Sequence, residues 1–211
     1  MRENLFIALE GIDGSGKSTQ VKLLAEQLTG LGHKVYTTFE PTDSNIGKLI
    51  RNIFAHKETA DHRTIAALFA ADRLDHLLHP QHGVLKKLEE GYTVISDRYY
   101  FSSYAYHGAH MPMDWVIASN ALSAELLRPD LNIYIDVRPE TSMERISKGR
   151  SSTELYETLD NLQQVSAKYR EAFEKLQDQE KIFITDGNRD PEAIAGDVFR
   201  AVAALLPTMK Q

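Results

Sequence analysis

Gly11–Thr19 read GIDGSGKST, directly after the apolar stretch LFIALE at Leu5–Glu10. Gly11, Gly16, Lys17 and Ser18 occupy the fixed positions of the phosphate-binding pattern G-x-x-x-x-G-K-[ST], between a predicted strand and a predicted helix. Glycines let successive backbone N–H groups turn inward, and together with the positive end of the following helix they cradle an anion. Lys17 then reaches the β- and γ-phosphates, and the Ser18 hydroxyl can ligate Mg²⁺. The candidate nucleoside triphosphate site is therefore Gly11, Ile12, Asp13, Gly14, Ser15, Gly16, Lys17, Ser18 and Thr19.

Outward from this loop, short apolar runs alternate with longer helical patterns. Strands are predicted at 5–10 (LFIALE), 34–39 (KVYTTF), 92–97 (YTVISD), 131–137 (LNIYIDV) and 181–186 (KIFITD). Each run is nearly continuous in apolar or β-prone residues, the pattern of strands buried on both faces of a parallel sheet. Helices are predicted at about 17–31, 46–55, 60–79, 81–90, 113–126, 139–148, 155–179 and 191–205. This alternation predicts a three-layer α/β/α fold of the P-loop NTPase type, with a five-stranded parallel sheet. Ligands of such sheets collect at the carboxyl ends of the strands, where the loop, FEPTD (39–43) and DRYY (97–100) would converge.

A chain of 211 residues, 42% hydrophobic and 26% charged, suits one domain over 1–211 with a small mobile lid. Lys and Arg number 24 against 30 acidic residues, leaving a net charge of −6. A protein that coats nucleic acid is usually basic, so phosphates here must meet local arginines, and a small-molecule site is expected. Without cysteine there is neither a disulfide framework nor a thiolate metal site, which fits a cytoplasmic protein. The apolar run near the N-terminus is too short for a signal peptide, and no segment approaches the roughly 18 apolar residues of a membrane span.

Asp97 ends a predicted strand and precedes Arg98. An acid at that position can orient Mg²⁺ or its waters, and an arginine beside it can grip phosphate oxygens bidentately. The same dipeptide would also serve as a plain surface ion pair. In IAALFAADRLDHLLH (65–79), Ile65, Leu68, Phe69, Leu77 and Leu78 mark a buried stripe. Phe69 and Arg73, four apart, share a face that offers a planar base a stacking surface and a donor. Alternatively Phe69 is core and Arg73 pairs with Asp72 or Asp75. SKGRSST (147–153) reads as a lid whose Lys148 or Arg150 closes over the triphosphate, or as a solvated loop. His76, His79 and His82 lack the accompanying set of a metal site, so Mg²⁺ is the one metal expected. No Asn-Lys-x-Asp guanine-reading motif occurs. From the residues alone, the chain is a P-loop phosphotransferase or NTPase with clustered arginines, Arg51 among them.

Six stretches, by their order and spacing, resemble the thymidylate kinases, P-loop nucleoside-monophosphate kinases that phosphorylate dTMP. They are EGIDGSGKST (10–19), EPTDSNIGKLIR (40–51), LFAADRLDH (68–76), DRYYFSSYAY (97–106), RPDLNIYIDVRPE (128–140) and RISKGR (145–150). The resemblance implies ATP as donor, dTMP as acceptor and Mg²⁺ held by Ser18 and Asp97, partly through water. It implies that Asp13 approaches the acceptor's 3′-hydroxyl and that Glu40 and Pro41 turn beside the acceptor phosphate, with Arg51 in the same site. Phe69 would stack on thymine and Arg73 would hydrogen-bond its edge. Arg98 would serve the acceptor phosphate, Ser102 and Ser103 would line the base pocket, and Tyr106 would disfavour a ribose 2′-hydroxyl.

Residues 12–15 contain no arginine, so the resemblance sends the last catalytic cation to a lid at about 145–156, to Arg150 first and Lys148 second. It also implies a homodimer, with the helix at 64–79 as candidate interface. Three positions depart from the family pattern: Phe39 where Arg usually precedes the Glu-Pro turn, His107 where Gln is common beside the base pocket, and Ser152-Thr153 where the lid often has Asp-Arg. Two other readings stay open, a different nucleoside monophosphate as acceptor and a P-loop ATP-binding module with little transferase activity. A kinase requires Arg51, Arg73 and Arg98 to converge on one cleft; a binding module does not.

Overall fold

Five parallel strands form one sheet in the order β2-β3-β1-β4-β5 in the computed structural model, which describes residues 4–149 and 155–206. In chain order the elements are β1 (Phe6–Glu10), α1 (Lys17–Gly30), β2 (Val35–Phe39), α2 (Asn45–Phe54), α3 (His62–Leu78), α4 (Val84–Glu89) and β3 (Thr93–Asp97). There follow α5 (Tyr100–Gly108), α6 (Met113–Ser119), α7 (Ala121–Leu126), β4 (Leu131–Asp136), α8 (Pro139–Gly149), α9 (Leu159–Leu176), β5 (Ile182–Asp186) and α10 (Pro191–Ala203).

Period-two alternation splits the core between the two faces of the sheet. Phe6 and Ala8 of β1 pack with α5 and α9 through Phe101, Tyr104, Tyr169 and Phe173. Ile7 and Leu9 point the other way and pack with Leu24 and Leu28 of α1 and Val198 and Val202 of α10. The result is the three-layer α/β/α sandwich expected. β1, β3 and β4 are buried along nearly their whole length, each buried large apolar side chain contributing roughly 1.5–3 kcal/mol. β2 and β5 are not: as edge strands they stay half-exposed, contrary to the reading of every strand as buried on both faces.

Four further expectations need correction. A helix at Tyr100–Gly108 escaped the sequence reading because all nine of its residues are buried, which leaves no amphipathic period to detect. The helix expected at 113–126 is two, broken at Asn120, whose side chain turns inward to accept from Arg73. The helix expected from 155 starts at Leu159, capped by the Thr158 hydroxyl on the Asn161 amide at 3.3 Å. On α3, Ile65 and Leu77 are buried, Leu68 and Phe69 half-buried, and Leu78 is 54% exposed, so the apolar stripe is narrower than its pattern.

Candidate active site

Sheet register assembles the site. Leu9, Asp97 and Phe39 lie opposite one another across β1, β3 and β2. The residues that follow them, Glu10 at the end of β1 and Arg98 and Glu40 just past β3 and β2, therefore lie side by side. The Arg98 amide donates to the Leu9 carbonyl at 2.9 Å and the Glu40 amide to the Asp97 carbonyl at 3.0 Å.

Beyond β1 the glycine loop turns back into α1. Gly14 has φ 73°, and a β-carbon there would stand 2.7 Å from the Ser142 carbonyl oxygen of α8. Only glycine allows that approach. Gly16, with φ 94°, opens α1, whose first-turn N–H groups and positive helix end suit an anion. The buried Lys17 ammonium donates to the carbonyls of Gly11 and Ile12, both at 3.0 Å. Burial, and then the like charge of Arg98, bring its pKa down to about 8. Ser18 Oγ donates to Asp97 Oδ2 at 2.6 Å, which sets two hard oxygen ligands side by side at the mouth of the loop. Glu10, fully buried behind the loop, accepts from the Tyr99 amide, Ser102 Oγ and Tyr169 OH at 2.9, 2.6 and 3.0 Å. Burial raises its pKa despite those donors.

Next to the loop, on the side of β3 and β2, is a cavity of about 210 Å³. Phe54, Phe69 and Phe39 give it apolar walls, and Ser102, Ser103, Tyr106 and His107 of α5 form the opposite side. Arg51 and Arg98 bring positive charge to it, with Asp13, Pro41, Tyr156 and Glu157 completing the lining. The Phe69 ring lies 5.8 Å from Phe54 and 5.1 Å from His107. Arg98 holds a left-handed backbone at φ 76° and donates to Asp13 Oδ1 at 2.5 Å, Gly11 O at 3.1 Å and Ser102 Oγ at 3.1 Å. Neither Asp97 nor Arg98 forms the local surface pair that their adjacency allowed. Arg51 donates to the carbonyls of Pro41 and Thr42 at 2.8 and 2.6 Å and pairs with Asp43 at 3.0 Å.

His107 is buried, and its Nδ1 has no hydrogen-bond partner. Burial, reinforced by the Arg73 charge, lowers its pKa to about 3, so the ring is neutral at ordinary pH.

Arg73 departs from expectation. It does not line the cavity; it is fully buried behind the wall, and it pairs with neither Asp72 nor Asp75. Its Nε and Nη2 donate to Glu40 Oε2 at 2.9 and 2.6 Å, Nη2 also to Tyr99 O at 3.2 Å, and Nη1 to Ser103 Oγ at 3.0 Å and to Asn120 Oδ1. These five bonds match the five N–H groups of a guanidinium. Glu40 is likewise turned inward, away from the cavity that its neighbour Pro41 lines. Two of the three arginines thus converge on one cleft, and the third supports its wall.

Sequence reasoning passed over several residues. Asp72, buried, accepts from the Thr42 amide and hydroxyl and from Ser44 Oγ at 2.8, 2.6 and 2.8 Å, which fixes the turn that carries Arg51. The signal was available: Phe69, Asp72, Arg73 and His76 recur at helical spacing on one face of α3. Tyr156, shortly before α9, stacks with His110 at 5.3 Å and lies 5.2 Å from Phe54; nothing local in the sequence marks it. Across the glycine loop from the cavity, a second hollow is lined by Ser15, Gly16, Thr19, Arg145, Arg189 and Pro191. Arg145 Nη2 donates to the Gly187 carbonyl at 3.0 Å. Lys148 is exposed in the last turn of α8, while Arg150 and Ser152-Thr153 lie outside the described residues.

A phosphate-binding loop with a hydroxyl–carboxylate pair at its mouth, next to an aromatic cavity served by two arginines, defines a P-loop kinase of small phosphorylated acceptors. Comparison with known proteins makes this particular. Residues 9–198 match the family model described as thymidylate kinase. A probable thymidylate kinase of Pyrococcus horikoshii is 42% identical over 177 residues, covering 81% of this chain and 82% of the relative. A probable thymidylate kinase of Thermococcus kodakarensis is 37% identical over 96% of this chain and 98% of its own length. The thymidylate kinase of Shouchella clausii is 35% identical over the full length of both chains. The chain belongs to the thymidylate kinase family, whose members phosphorylate dTMP at the expense of ATP. No helix among the described residues is long and apolar enough to cross a membrane.

Proposed function

We propose that this chain transfers the γ-phosphate of ATP to dTMP, releasing ADP and dTDP, through the residues assembled around the glycine loop. The observation that carries this assignment is the wall shared by the two sites: Asp13 and Arg98 bound the cavity while Arg98 also grips the loop at Gly11. A module that only binds ATP has no use for a second cation-lined cavity next to its phosphate cradle.

Residues 11–19 take the triphosphate, Lys17 serves its β- and γ-oxygens, and the hollow by Arg145, Arg189 and Pro191 receives the adenine. In the cavity, Phe69 stacks on thymine, and Ser102, Ser103 and the neutral His107 address its polar edge. Arg73 reaches the base by exchanging its bond to Ser103, the one Arg73 partner that lines the cavity. Tyr106 and Asp13 meet the sugar, and Arg98 and Arg51, with the Glu40-Pro41 turn, meet the acceptor phosphate.

Ser18 and Asp97, two hard oxygen donors 2.6 Å apart, fit Mg²⁺, which when bound offsets the charge of the phosphates. An acceptor phosphate oxygen forms the new bond to the γ-phosphorus, and the bridge to the β-phosphate breaks in line with it. That oxygen is already ionised, so no strong general base is needed. The residues act by alignment and by offsetting the repulsion between two polyanions. A lid at about 145–156 carries the remaining cation, Arg150 or Lys148, and excludes water. We further assign the whole chain to one domain, acting as a homodimer in the cytoplasm.

The test is coupled ADP release with Mg·ATP across a panel of nucleoside monophosphates. dTMP is expected to give the highest kcat/KM; a clear lead for dUMP, dCMP or GMP would overturn the assignment.

A further inference from the structure

We propose that His76 is a positioning residue for acceptor recognition: it holds Glu40, and through Glu40 it holds Arg73 against the acceptor cavity. The proposal rests on the reading above that Arg73 addresses the thymine edge.

Two periodicities bring the four residues together. Arg73 and His76 are three apart on α3 and share a face, while Thr38 and Glu40 are two apart at the end of β2 and share a side. Glu40 Oε2 takes both N–H groups that Arg73 offers it. The other oxygen, Oε1, takes His76 Nδ1 at 3.0 Å. On the far side of the ring, His76 Nε2 lies 2.7 Å from Thr38 Oγ1. An ion-paired carboxylate only accepts, so Nδ1 donates to Glu40, while Nε2 shares the second hydrogen bond with the Thr38 hydroxyl. Both ring nitrogens are therefore held, and the ring is fixed in orientation from the β2 side, outside the cavity.

The consequence lies in the carboxylate. Glu40, Arg73 and His76 are 4%, 0% and 7% exposed, so water cannot replace a lost partner. Without His76, Oε1 is a buried acceptor with no donor, and the carboxylate is free to rotate about its last bond. Rotation trades the two-pronged contact with Arg73 for a single one and moves the guanidinium relative to Ser103, its contact at the cavity wall. Thr38–His76–Glu40–Arg73–Ser103 is thus a continuous chain of hydrogen bonds from the groove beside β2, which Thr38 and His76 line, to the acceptor cavity.

The test compares steady-state kinetics of the full chain, four single variants and one double variant. His76→Leu removes the donor to Glu40 and is expected to raise KM for dTMP about tenfold, with kcat and KM for ATP within about twofold of the parent. His76→Asn keeps an N–H where Nδ1 stands and is expected to stay within about threefold for dTMP. Thr38→Val, nearly isosteric on an edge strand, removes the contact that orients the far side of the ring and is expected to raise KM for dTMP severalfold; it also decides the matter if His76→Leu does not fold. Arg73→Met is expected to raise KM for dTMP by itself, and His76→Leu is expected to add nothing in that background. Unchanged dTMP kinetics in His76→Leu and Thr38→Val, with Arg73→Met impaired, would overturn the role of His76 alone. An unchanged KM in Arg73→Met would overturn the base-reading role of Arg73 and this proposal with it. Equal losses toward ATP and dTMP in His76→Leu would reduce His76 to a packing residue and overturn the proposal.

Discussion

The Tyr106 hydroxyl accepts a hydrogen bond from the Asp13 amide at 3.0 Å and donates one to the Asp13 carboxylate at 2.8 Å. One side chain of α5 thus sets both backbone and side chain of the residue that the donor loop shares with the acceptor cavity. The Arg98 guanidinium lies over the same tyrosine ring, 5.0 Å from its centre, so loop, cation and cavity wall are tied together.

Tyr106 lines the cavity, and the proposed pose, which sets it against the sugar, predicts that it rejects an added 2′-hydroxyl. Walls of this kind discriminate by about 10²-fold at most. Tyr106→Ala should lower the ratio of kcat/KM for dTMP over its ribose counterpart by about tenfold, within that ceiling. Tyr106→Phe, which keeps the ring but releases Asp13, should lower kcat with less effect on the ratio. An unchanged ratio in the alanine variant would remove Tyr106 from sugar selection.

Arg98 combines a proposed role at the acceptor phosphate with a left-handed backbone. Arg98→Ala should reduce kcat/KM for dTMP by at least about 10²-fold, the scale of losing one preorganised donor, while the Kd for ATP stays near that of the parent. Its φ of 76° is costly for any side chain with a β-carbon. Arg98→Gly should therefore be equally inactive but more stable than Arg98→Ala, by about 1 kcal/mol in thermal or denaturant unfolding. Equal stability of the two would place the strain elsewhere.

Lys17, at about pKa 8 in the folded chain against 10.5 ordinarily, sheds its proton before the unfolded chain does. Between those values the unfolded state binds more protons, so this group makes stability rise with pH in that window. A triphosphate in the loop reverses the balance by favouring the ammonium. Calorimetric titration with ATP just above pH 8, in buffers of different ionisation enthalpy, should show proton uptake on binding. ATP affinity should also weaken as pH rises further. Proton release on binding would contradict the assignment of Lys17 to the phosphates.

His107 stays neutral down to about pH 3, whereas an unfolded histidine protonates near 6.5. Over that interval the unfolded state holds the extra proton, so folding stability falls as the pH is lowered. His107→Gln should flatten the acid side of a Tm-against-pH curve while keeping dTMP as preferred acceptor. A His107 ring that titrates near 6.5 by NMR would show instead that the pocket is open to water.

The glycine loop, the five strands and the layer order were legible in the chain because each depends on neighbours in sequence. Gly11, Gly16, Lys17 and Ser18 form a spacing, and buried parallel strands form unbroken apolar runs. α5 was not legible for the opposite reason: buried on every side, it carries no polar face to betray a period. The same limit separates the two arginines. Arg98 lies beside the loop because it directly follows Asp97, the last residue of a strand whose register the sheet fixes. Arg73 shares a helix face with Phe69, yet only the ring lines the cavity.

What the amino-acid order determined by itself is therefore the scaffold and the phosphate cradle, both products of local periodicity and backbone geometry. Where the charges of Arg73 and Glu40 point, whether Asp72 faces a cation or a turn, and which side chains meet Asp13 were settled only by packing. Their partners lie about 30 to 90 residues away, and a buried polar group takes whichever partner the assembled layers bring within reach.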